Sequence, residues 1–236
     1  MTSHQTKDYH SNWDDKKIVQ HFLSSRNKEE DLYPSEKYFL DKFLTKEMRV
    51  LDYGCAAGGF VDILSKRYQL PEINYWGVDI SPQMIRVAES AHPQSHFELG
   101  LSKIQSAGER FDLIYSFGTF HMTFDWRVIL KNLYLISRQY LIFDVRLTKT
   151  GKTVEDISQS YQKLNFFNEE LDTGDVPYII LNEEEFYTYL QSVIEENDEV
   201  LTHGYEHSVS HSVTSLYQKI DMMSICVIKK TNSLNG

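Results

Sequence analysis

The chain has 236 residues, of which 41% are hydrophobic and 25% are charged. This composition is that of a globular protein with one sizeable core or two small ones, and it excludes a disordered or fibrous chain. No stretch approaches the ~20 consecutive apolar residues of a membrane span, so we expect no membrane partner. The first residues lack the features of a signal peptide, and Cys55 and Cys226 are the only cysteines. We therefore expect a cytoplasmic protein with free thiols.

The acidic charge balance argues against nucleic acid as a partner. The formal net charge is −10, from 24 basic and 34 acidic residues, whereas phosphate binding normally needs a basic face. Aromatic residues make up 13% of the chain. Most of them should lie in the core, and some are expected to line a pocket for a small organic ligand. We expect a monomer or homodimer that binds a small molecule.

Hydrophobic patterning predicts a helical N-terminal segment followed by alternating strands and helices. Residues 1–48 carry apolar side chains at helical spacing and are predicted to form a helical lid. Strands are predicted at residues 49–53, 74–79, 96–99, 111–116 and 140–145. Helices are predicted at residues 60–68, 83–90 and 126–136, the second of which follows an N-cap at Ser81 and Pro82. This alternation indicates a doubly wound α/β domain, with a parallel sheet covered by helices on both faces.

The C-terminal part departs from this rhythm before it completes the sheet. Residues 147–181 are polar and aromatic without clear periodicity, which predicts an insertion or lid that contains Tyr161, Phe166, Phe167 and Tyr178. Asn182 then caps a helix whose first turn is acidic. Two closing strands are predicted at residues 199–213 and 222–229. The chain has no internal repeat and no Gly/Ser-rich linker, so we expect residues 49–236 to form one domain beneath the N-terminal lid.

The segment 49–60, RVLDYGCAAGGF, carries the strongest chemical signal. A predicted strand ends in Asp52 and enters a turn of small residues, Gly54, Ala56, Gly58 and Gly59. Backbone in such a turn can approach a ligand closely, and the next helix begins there. We therefore expect that a branched side chain at Gly54 or Gly58 would fill ligand volume and leave the fold largely intact.

The second predicted strand ends at another acid, Asp79. A carboxylate at this position can accept hydrogen bonds from both hydroxyls of a ribose. Asp79 follows Gly58 by 21 residues, close to the ~20 that separate the glycine turn from the ribose acid of a nucleotide-binding βαβ unit.

Two ligand classes share this layout. A dinucleotide places its pyrophosphate against the turn, where the charge of Asp52 would oppose it. The segment 54–59 also fits the G-x-G-x-x-G pattern only if Ala56 replaces the second glycine. A ligand with a cationic amino acid end suits Asp52 better, although an oxidoreductase that uses NAD or a nucleotide sugar remains the alternative.

These motifs resemble those of the class I S-adenosylmethionine-dependent methyltransferases that act on small molecules. The resemblance rests on residues 50–58 (VLDYGCAAG), 77–81 (GVDIS), 111–116 (FDLIYS) and the pair Phe120-His121. It spans roughly residues 36–230 and implies a Rossmann-like sheet of seven mostly parallel strands whose last strand, 224–229, is antiparallel. It also implies S-adenosylmethionine as cofactor, bound by Asp52, Gly54, Cys55, Ala56, Gly58, Asp79, Ile80, Ser102 and Ser116, with Arg26 of the lid pairing with the methionine carboxylate.

Two positions depart from the pattern of that family. Ala56 stands where the family usually has a middle glycine, and this change still leaves room for the ligand. After the third strand, where the family often has an acid that contacts adenine, residues 99–102 offer no carboxylate. We expect Ser102 or the backbone to make that contact instead.

Histidines are the candidates for contact with the methyl acceptor. His121 follows the fourth strand, where the family's acceptor approaches the methyl group, so it is predicted to be a general base or a pocket wall. Tyr178, His207 and His211 are predicted substrate contacts. The spacing of His203, His207 and His211 also allows metal binding, but no carboxylate or cysteine completes a ligand set, so we expect no metal.

The sequence therefore predicts methyl transfer from S-adenosylmethionine to an oxygen or nitrogen of a small molecule. The alternatives are the oxidoreductase described above and a non-catalytic module that retains only cofactor binding. Cys55 is interpreted as a small turn residue and not as a nucleophile.

Overall fold

The computed structural model describes residues 9–164 and 175–230. Its strands are β1 (Val50–Tyr53), β2 (Tyr75–Asp79), β3 (His96–Leu99), β4 (Phe111–Ser116), β5 (Ser137–Thr148), β6 (Tyr161–Lys163), β7 (Asp175–Pro177), β8 (Leu181–Asn182), β9 (Glu199–Ser208), β10 (Val213–Thr214) and β11 (Lys219–Ile228). Its helices are α1 (Lys16–Ser24), α2 (Pro34–Phe43), α3 (Phe60–Tyr68), α4 (Pro82–Ala91), α5 (Ser102–Ser106), α6 (Trp126–Ile136) and α7 (Glu183–Val193). Short 3-10 helices occupy Tyr9–Asp14, Glu29–Asp31, Glu72–Asn74 and Phe120–Met122.

Seven strands form the main sheet in the order β3-β2-β1-β4-β5-β11-β9. The first five are parallel to one another, and β11 runs antiparallel to both of its neighbours, β5 and β9. The short β8 adds two residues beside the end of β5. The predicted doubly wound, mostly parallel seven-stranded sheet with an antiparallel last strand is confirmed. The strand order reverses between β1 and β4, and ligands of open α/β sheets bind at such a switch point.

Both faces of the sheet are buried by helices. Along β5, Leu141, Phe143 and Val145 pack into a core with α6 and α7, whereas Ile142 packs into a second core with α2 and α3. This pattern follows from the alternation of side chains along a strand. The predicted caps also form, since Ser81 accepts from the backbone N–H of Met84 at 3.1 Å and Asn182 from that of Glu185 at 3.0 Å.

The last strands differ from their predicted bounds. Strand β9 ends at Ser208, where it pairs with Lys219 at the start of β11, so the predicted strand 199–213 was too long. Val213 leaves the main sheet and pairs with Gln162 of β6 instead. Alternating apolar residues continue across this break, which is why the sequence indicated one strand.

The predicted insertion contributes two of the three strands of a second sheet. Strands β10, β6 and β7 pair in an antiparallel sheet of three strands, while Leu147 and Leu181, the ends of the predicted segment, pair with each other in the main sheet. Tyr161 lies in β6, and Phe166 and Phe167 fall outside the described residues. In the N-terminal segment, Ile18 and Val19 of α1 pack on Ala57 of the glycine turn. No helix among residues 9–164 and 175–230 has the length and apolar character of a membrane span.

Candidate active site

A cavity of about 1130 Å³ opens at the carboxyl ends of the central strands. Eleven of the predicted site residues line it: Arg26, Asp52, Gly54, Cys55, Ala56, Asp79, Ile80, Ser102, His121, Tyr178 and His207. The topology explains this convergence, because parallel strands end at one edge of the sheet and their following turns meet there. Three predicted site residues, Gly58, Ser116 and His211, are not part of the lining.

Asp52 is a buried carboxylate at the end of β1. The side chain is 4% exposed and accepts a 2.6 Å hydrogen bond from the Tyr75 hydroxyl of β2. Burial raises the pKa of Asp52 to about 7, although the hydroxyls of Tyr75 and Tyr115 and the charge of Arg26 oppose the rise. A carboxylate held in this way gains stability from a bound cation, so this end of the cavity suits a positively charged group.

The glycine turn is shaped by contacts within the protein. Gly54 and Gly58 have φ of +88° and +81°. A Cβ at Gly54 would collide with the Thr119 side chain, and one at Gly58 would lie 3.2 Å from Ala88, among other side chains. The expectation that these two Cβ positions face the ligand was therefore wrong. The glycines allow a left-handed turn to pack against the protein, and the backbone of that turn forms the cavity wall.

The other small residues of the turn have different roles. A Cβ at Gly59 would lie 2.6 Å from the Arg26 carbonyl oxygen, so this glycine lets the N-terminal segment cross the turn. Ala56 has φ of +47° and donates its backbone N–H to Asp79 at 3.0 Å. Burial keeps the pKa of the Cys55 thiol well above its usual range, which agrees with a turn residue and not a nucleophile.

Asp79 is fixed by two backbone donors. One carboxylate oxygen accepts from Ala56 and the other from the backbone N–H of Ser81 at 2.9 Å. Burial raises the pKa of Asp79, and these hydrogen bonds oppose the rise. Each oxygen keeps a lone pair for a further donor, so a pair of ribose hydroxyls fits this carboxylate. Ile80, Ser102 and the neighbouring Gln105 continue the cavity wall beyond it.

Arg26 reaches the cavity from the N-terminal segment. Its guanidinium donates to the Glu36 carboxylate at 2.7 Å and to the Asp31 carbonyl at 3.2 Å. The rings of Tyr33 and Phe60 lie 5.1 Å from it. These contacts hold one positive charge at the cavity edge near Asp52.

His121 lines the cavity from the 3-10 helix after β4. The imidazole is 4% exposed, and its ring centroid is 5.1 Å from that of Tyr178 in an edge-on arrangement. Its backbone carbonyl accepts from Ile179 at 2.7 Å, and its Nδ1 has no hydrogen-bond partner among the described residues. Burial and then the charge of Arg146 lower the pKa of His121 well below its usual value. The imidazole is therefore neutral at pH 7, the form that accepts a proton.

Ser116, predicted to bind the cofactor, and His211, predicted to bind the substrate, are not among the residues that line the cavity, and both roles stay predictions. Tyr115 of β4 and Phe117, the residue after β4, line the cavity, and alternation directs Ser116 to the opposite face with Ile114. His211 follows the end of β9 and therefore does not share a strand face with His207.

The three histidines do not converge either, since His203 stacks on Tyr38 with ring centroids 4.1 Å apart. Within the described part of the chain, His, Cys, Asp and Glu side chains form no group of three that could hold a metal.

Sequence reasoning missed an ion pair in the cavity wall. Asp144 and Arg146, each 7% exposed, follow Ile142 on the same face of β5, at the strand end where the core gives way to the cavity. Arg146 donates to Asp144 at 2.5 Å. The signal was available, because two charges interrupt the apolar run of residues 140–147, YLIFDVRL.

The chain is similar to known methyltransferases in sequence and in fold. Residues 22–170 match the family model described as a methyltransferase domain. Magnesium protoporphyrin IX methyltransferase from Synechocystis PCC 6803, solved with S-adenosylhomocysteine, is 15% identical, with 89% of this chain and 83% of that chain covered at a TM-score of 0.51.

Coclaurine N-methyltransferase, solved with N-methylheliamine and S-adenosylhomocysteine, is 11% identical, with coverage of 94% and 81% and a TM-score of 0.55. A TehB-like S-adenosylmethionine-dependent methyltransferase from Corynebacterium glutamicum is 18% identical, with coverage of 91% and 97% and a TM-score of 0.53. The TM-scores, all above 0.5, show that these proteins and this chain share a fold. No curated protein sequence matches the chain. Because the family model covers well over half of its length, the chain belongs to the methyltransferase-domain family.

Proposed function

We propose that this protein transfers the methyl group of S-adenosylmethionine to an oxygen or nitrogen of a small-molecule acceptor. The observation that carries the proposal is that Asp52, Asp79 and His121 line one and the same cavity. Two of the neighbours described above support it, because the structures of the protoporphyrin and coclaurine enzymes contain S-adenosylhomocysteine and both enzymes are named for small acceptors.

The residues around Asp52 and Asp79 fit the cofactor. Asp79 would accept hydrogen bonds from the ribose hydroxyls, with Ile80 and Ser102 beside the base. Asp52 and the backbone of Gly54, Cys55 and Ala56 would hold the cationic amino acid end, and Arg26 its carboxylate. The buried Asp52, with its raised pKa, is the observation that favours a cation here over a pyrophosphate. The bound cofactor supplies an electrophilic methyl group on a sulfonium.

The chain's contribution to transfer is positioning, exclusion of water and acceptance of a proton. The described parts of the N-terminal lid (residues 1–48) and of the insertion (residues 147–181) enclose the cavity through Trp13, Phe22, Gln162 and Tyr178. Domain 49–236 carries the rest of the site. Enclosure strengthens electrostatic contacts and aligns the reactants. For a hydroxyl acceptor, His121 would take the proton at a ring nitrogen, with Tyr178 and His207 as acceptor contacts.

The size of the cavity and the net charge of the chain favour a small acceptor. A volume of about 1130 Å³ exceeds the roughly 300–1,000 Å³ of common ligand pockets, so a nucleoside cofactor leaves room for a compact second molecule. The net charge of −10 disfavours nucleic acid.

Calorimetry and a turnover screen test the proposal. We expect S-adenosylhomocysteine to bind more tightly than NAD, and we expect its release from S-adenosylmethionine in the presence of one class of small hydroxyl or amine compounds. Tighter binding of NAD would favour the oxidoreductase. Binding of S-adenosylhomocysteine without turnover across a broad screen would favour a non-catalytic module, and methylation of transfer RNA alone would overturn the small-molecule assignment.

A further inference from the structure

Arg146 is a buried cation, and one of its N–H donors lacks a partner among the described residues. It lines the cavity at the carboxyl end of β5 with 7% of its surface exposed. One terminal nitrogen donates to Asp144 at 2.5 Å, whereas Nε has no acceptor among the described residues. Buried donors in native proteins nearly always have a partner, and one without a partner is destabilising. Such a donor in a cavity wall indicates that a ligand supplies the acceptor.

The Asp144 carboxylate is shared between Arg146 and a backbone donor. The carboxylate of Asp144 also accepts a 2.6 Å hydrogen bond from the backbone N–H of Gly118, so it has a second partner that compensates its burial. In the part of the chain that the structure describes, Asp144 is the one carboxylate paired with Arg146. A guanidinium has five N–H donors in a planar fork that matches a carboxylate in two-point contact.

The side chains around Arg146 add donors and an apolar wall. Burial raises the pKa of Tyr178 and the charge of Arg146 opposes that rise, so the Tyr178 hydroxyl is a neutral donor close to the guanidinium. Met222 of β11 is the cross-strand partner of Arg146 and also lines the cavity. The neutral imidazole of His121 is near enough for the charge of Arg146 to lower its pKa.

We propose that Arg146, assisted by Tyr178, binds a carboxylate of the methyl acceptor, so that the substrates of this enzyme are small organic acids. The inference rests on the proposed function and specifies its substrate class. The carboxylate anchors the acceptor at the end of β5, and the atom to be methylated faces the sulfonium end of the cavity. A carboxylate is favoured over a neutral carbonyl because its two oxygens match the guanidinium fork in two-point contact, and because Asp144 divides its hydrogen bonding between Arg146 and Gly118.

Matched acid and amide probes test this inference on the full-length protein saturated with S-adenosylhomocysteine. The probes are 4-hydroxybenzoate against 4-hydroxybenzamide and indole-3-acetate against indole-3-acetamide, with affinities from NMR titration. We expect each acid to bind about tenfold or more tightly than its amide. In Arg146→Gln the preference should fall below about threefold, and Arg146→Lys should restore part of it because the charge returns without the fork.

Arg138→Gln is the matched control. Arg138 lies at the other end of β5, is half exposed and contacts Asp112 at 3.4 Å, outside the cavity lining. The acid preference should survive there. Methionine methyl resonances give a readout that needs no variant of Arg146, since acids and not amides should shift the Met222 signal.

Three results would overturn the inference: equal affinity of acids and amides on the parent, an undiminished preference in Arg146→Gln, or no binding of either acid at roughly 10 mM, the scale of the weakest specific contacts. A protein that binds S-adenosylhomocysteine and shows no acid preference loses this inference alone. A protein that binds no S-adenosylhomocysteine loses the proposed function, and the same probes then measure the acid preference on the free protein.

Discussion

The Tyr75 hydroxyl donates a 2.6 Å hydrogen bond to the Asp52 carboxylate between two adjacent parallel strands. Both side chains are buried, so the contact holds a carboxylate at the cavity without exposing it to water. The pKa of Asp52 is nevertheless raised to about 7, because burial outweighs the hydrogen bonds. Ionised Asp52 therefore costs stability in the free protein, and a bound cation would reduce that cost.

The first prediction concerns stability. Because the folded pKa of Asp52 lies above its unfolded value, its ionisation destabilises the fold increasingly as the pH rises from about 4 to about 7. Asp52→Asn, which keeps an acceptor for Tyr75, should raise the free energy of unfolding at pH 7.5 by up to about 4 kcal/mol. Urea denaturation at pH 4 and pH 7.5 measures the gain, which should shrink at the lower pH. A variant less stable than the parent at pH 7.5 would contradict the assignment.

The second prediction concerns cofactor binding and pH. A cationic ligand favours the ionised form of Asp52, so the affinity for S-adenosylhomocysteine should rise between pH 5.5 and 7.5, by up to about tenfold per pH unit below the pKa. Calorimetry across this range measures the slope. Asp52→Asn should bind more weakly at pH 7.5 and lose the slope. A parent whose affinity does not change with pH would remove Asp52 from the amino group.

The third prediction tests the ribose contact. Asp79→Ala should weaken S-adenosylhomocysteine binding by ~1.5–3 kcal/mol, the contribution of a charged hydrogen-bond acceptor. Because Asp79 also accepts from Ala56 and Ser81, circular dichroism and thermal unfolding must accompany the calorimetry. Asp112→Ala, which removes a carboxylate outside the cavity, is the control. Unchanged affinity in folded Asp79→Ala would exclude the ribose role.

The fourth prediction separates turn geometry from ligand space. Gly54→Ala should destabilise the fold by roughly 1–3 kcal/mol, because its Cβ meets Thr119 and its φ of +88° is unfavourable for alanine. Thr119→Ala removes the hydroxyl that lies nearest, so the double variant should be less destabilised than the sum of the single variants. Urea denaturation of all three measures the coupling energy. Additive effects would show that Thr119 does not set the requirement for glycine.

The fifth prediction concerns His121. For a hydroxyl acceptor, His121→Ala should lower turnover by ~10² to 10⁴-fold while the affinity for S-adenosylhomocysteine stays the same. Because the pKa of His121 lies well below its usual value, turnover of the parent at saturating cofactor should not change between pH 6.5 and 8. For an amine that is already neutral, the substitution should change mainly the Michaelis constant. His96→Ala, a histidine stacked on Trp76 outside the cavity, is the control.

Local patterns in the sequence determined where Asp52, Asp79 and the glycine turn lie. Asp52 and Asp79 each end a short apolar run, and parallel strands place such ends at one edge of a sheet whatever the rest of the chain does. The left-handed turn at Gly54 and Gly58 is likewise a local requirement. The parallel part of the sheet and the caps at Ser81 and Asn182 were predictable for the same reason, since strand–turn–helix signals act over a few residues, whereas the antiparallel direction of the closing strand was implied by the family resemblance.

Tertiary packing decided the features that depend on distant residues. Gly54 needs to be glycine because of Thr119, 65 positions along the chain, and no local pattern shows that contact. Ser116 points away from the cavity because side chains alternate along β4. His211 does not line the cavity because β9 ends before it, at Ser208. Both features depend on pairing with neighbouring strands. In the sequence, Arg146 is one of two charged residues in the otherwise apolar run 140–147. Only the assembled sheet shows that the Arg146 side chain is buried. It also shows that, among the described residues, Asp144 is the one carboxylate paired with Arg146 and Nε has no partner. Burial and hydrogen bonding are properties of the whole fold, so no local pattern gives them.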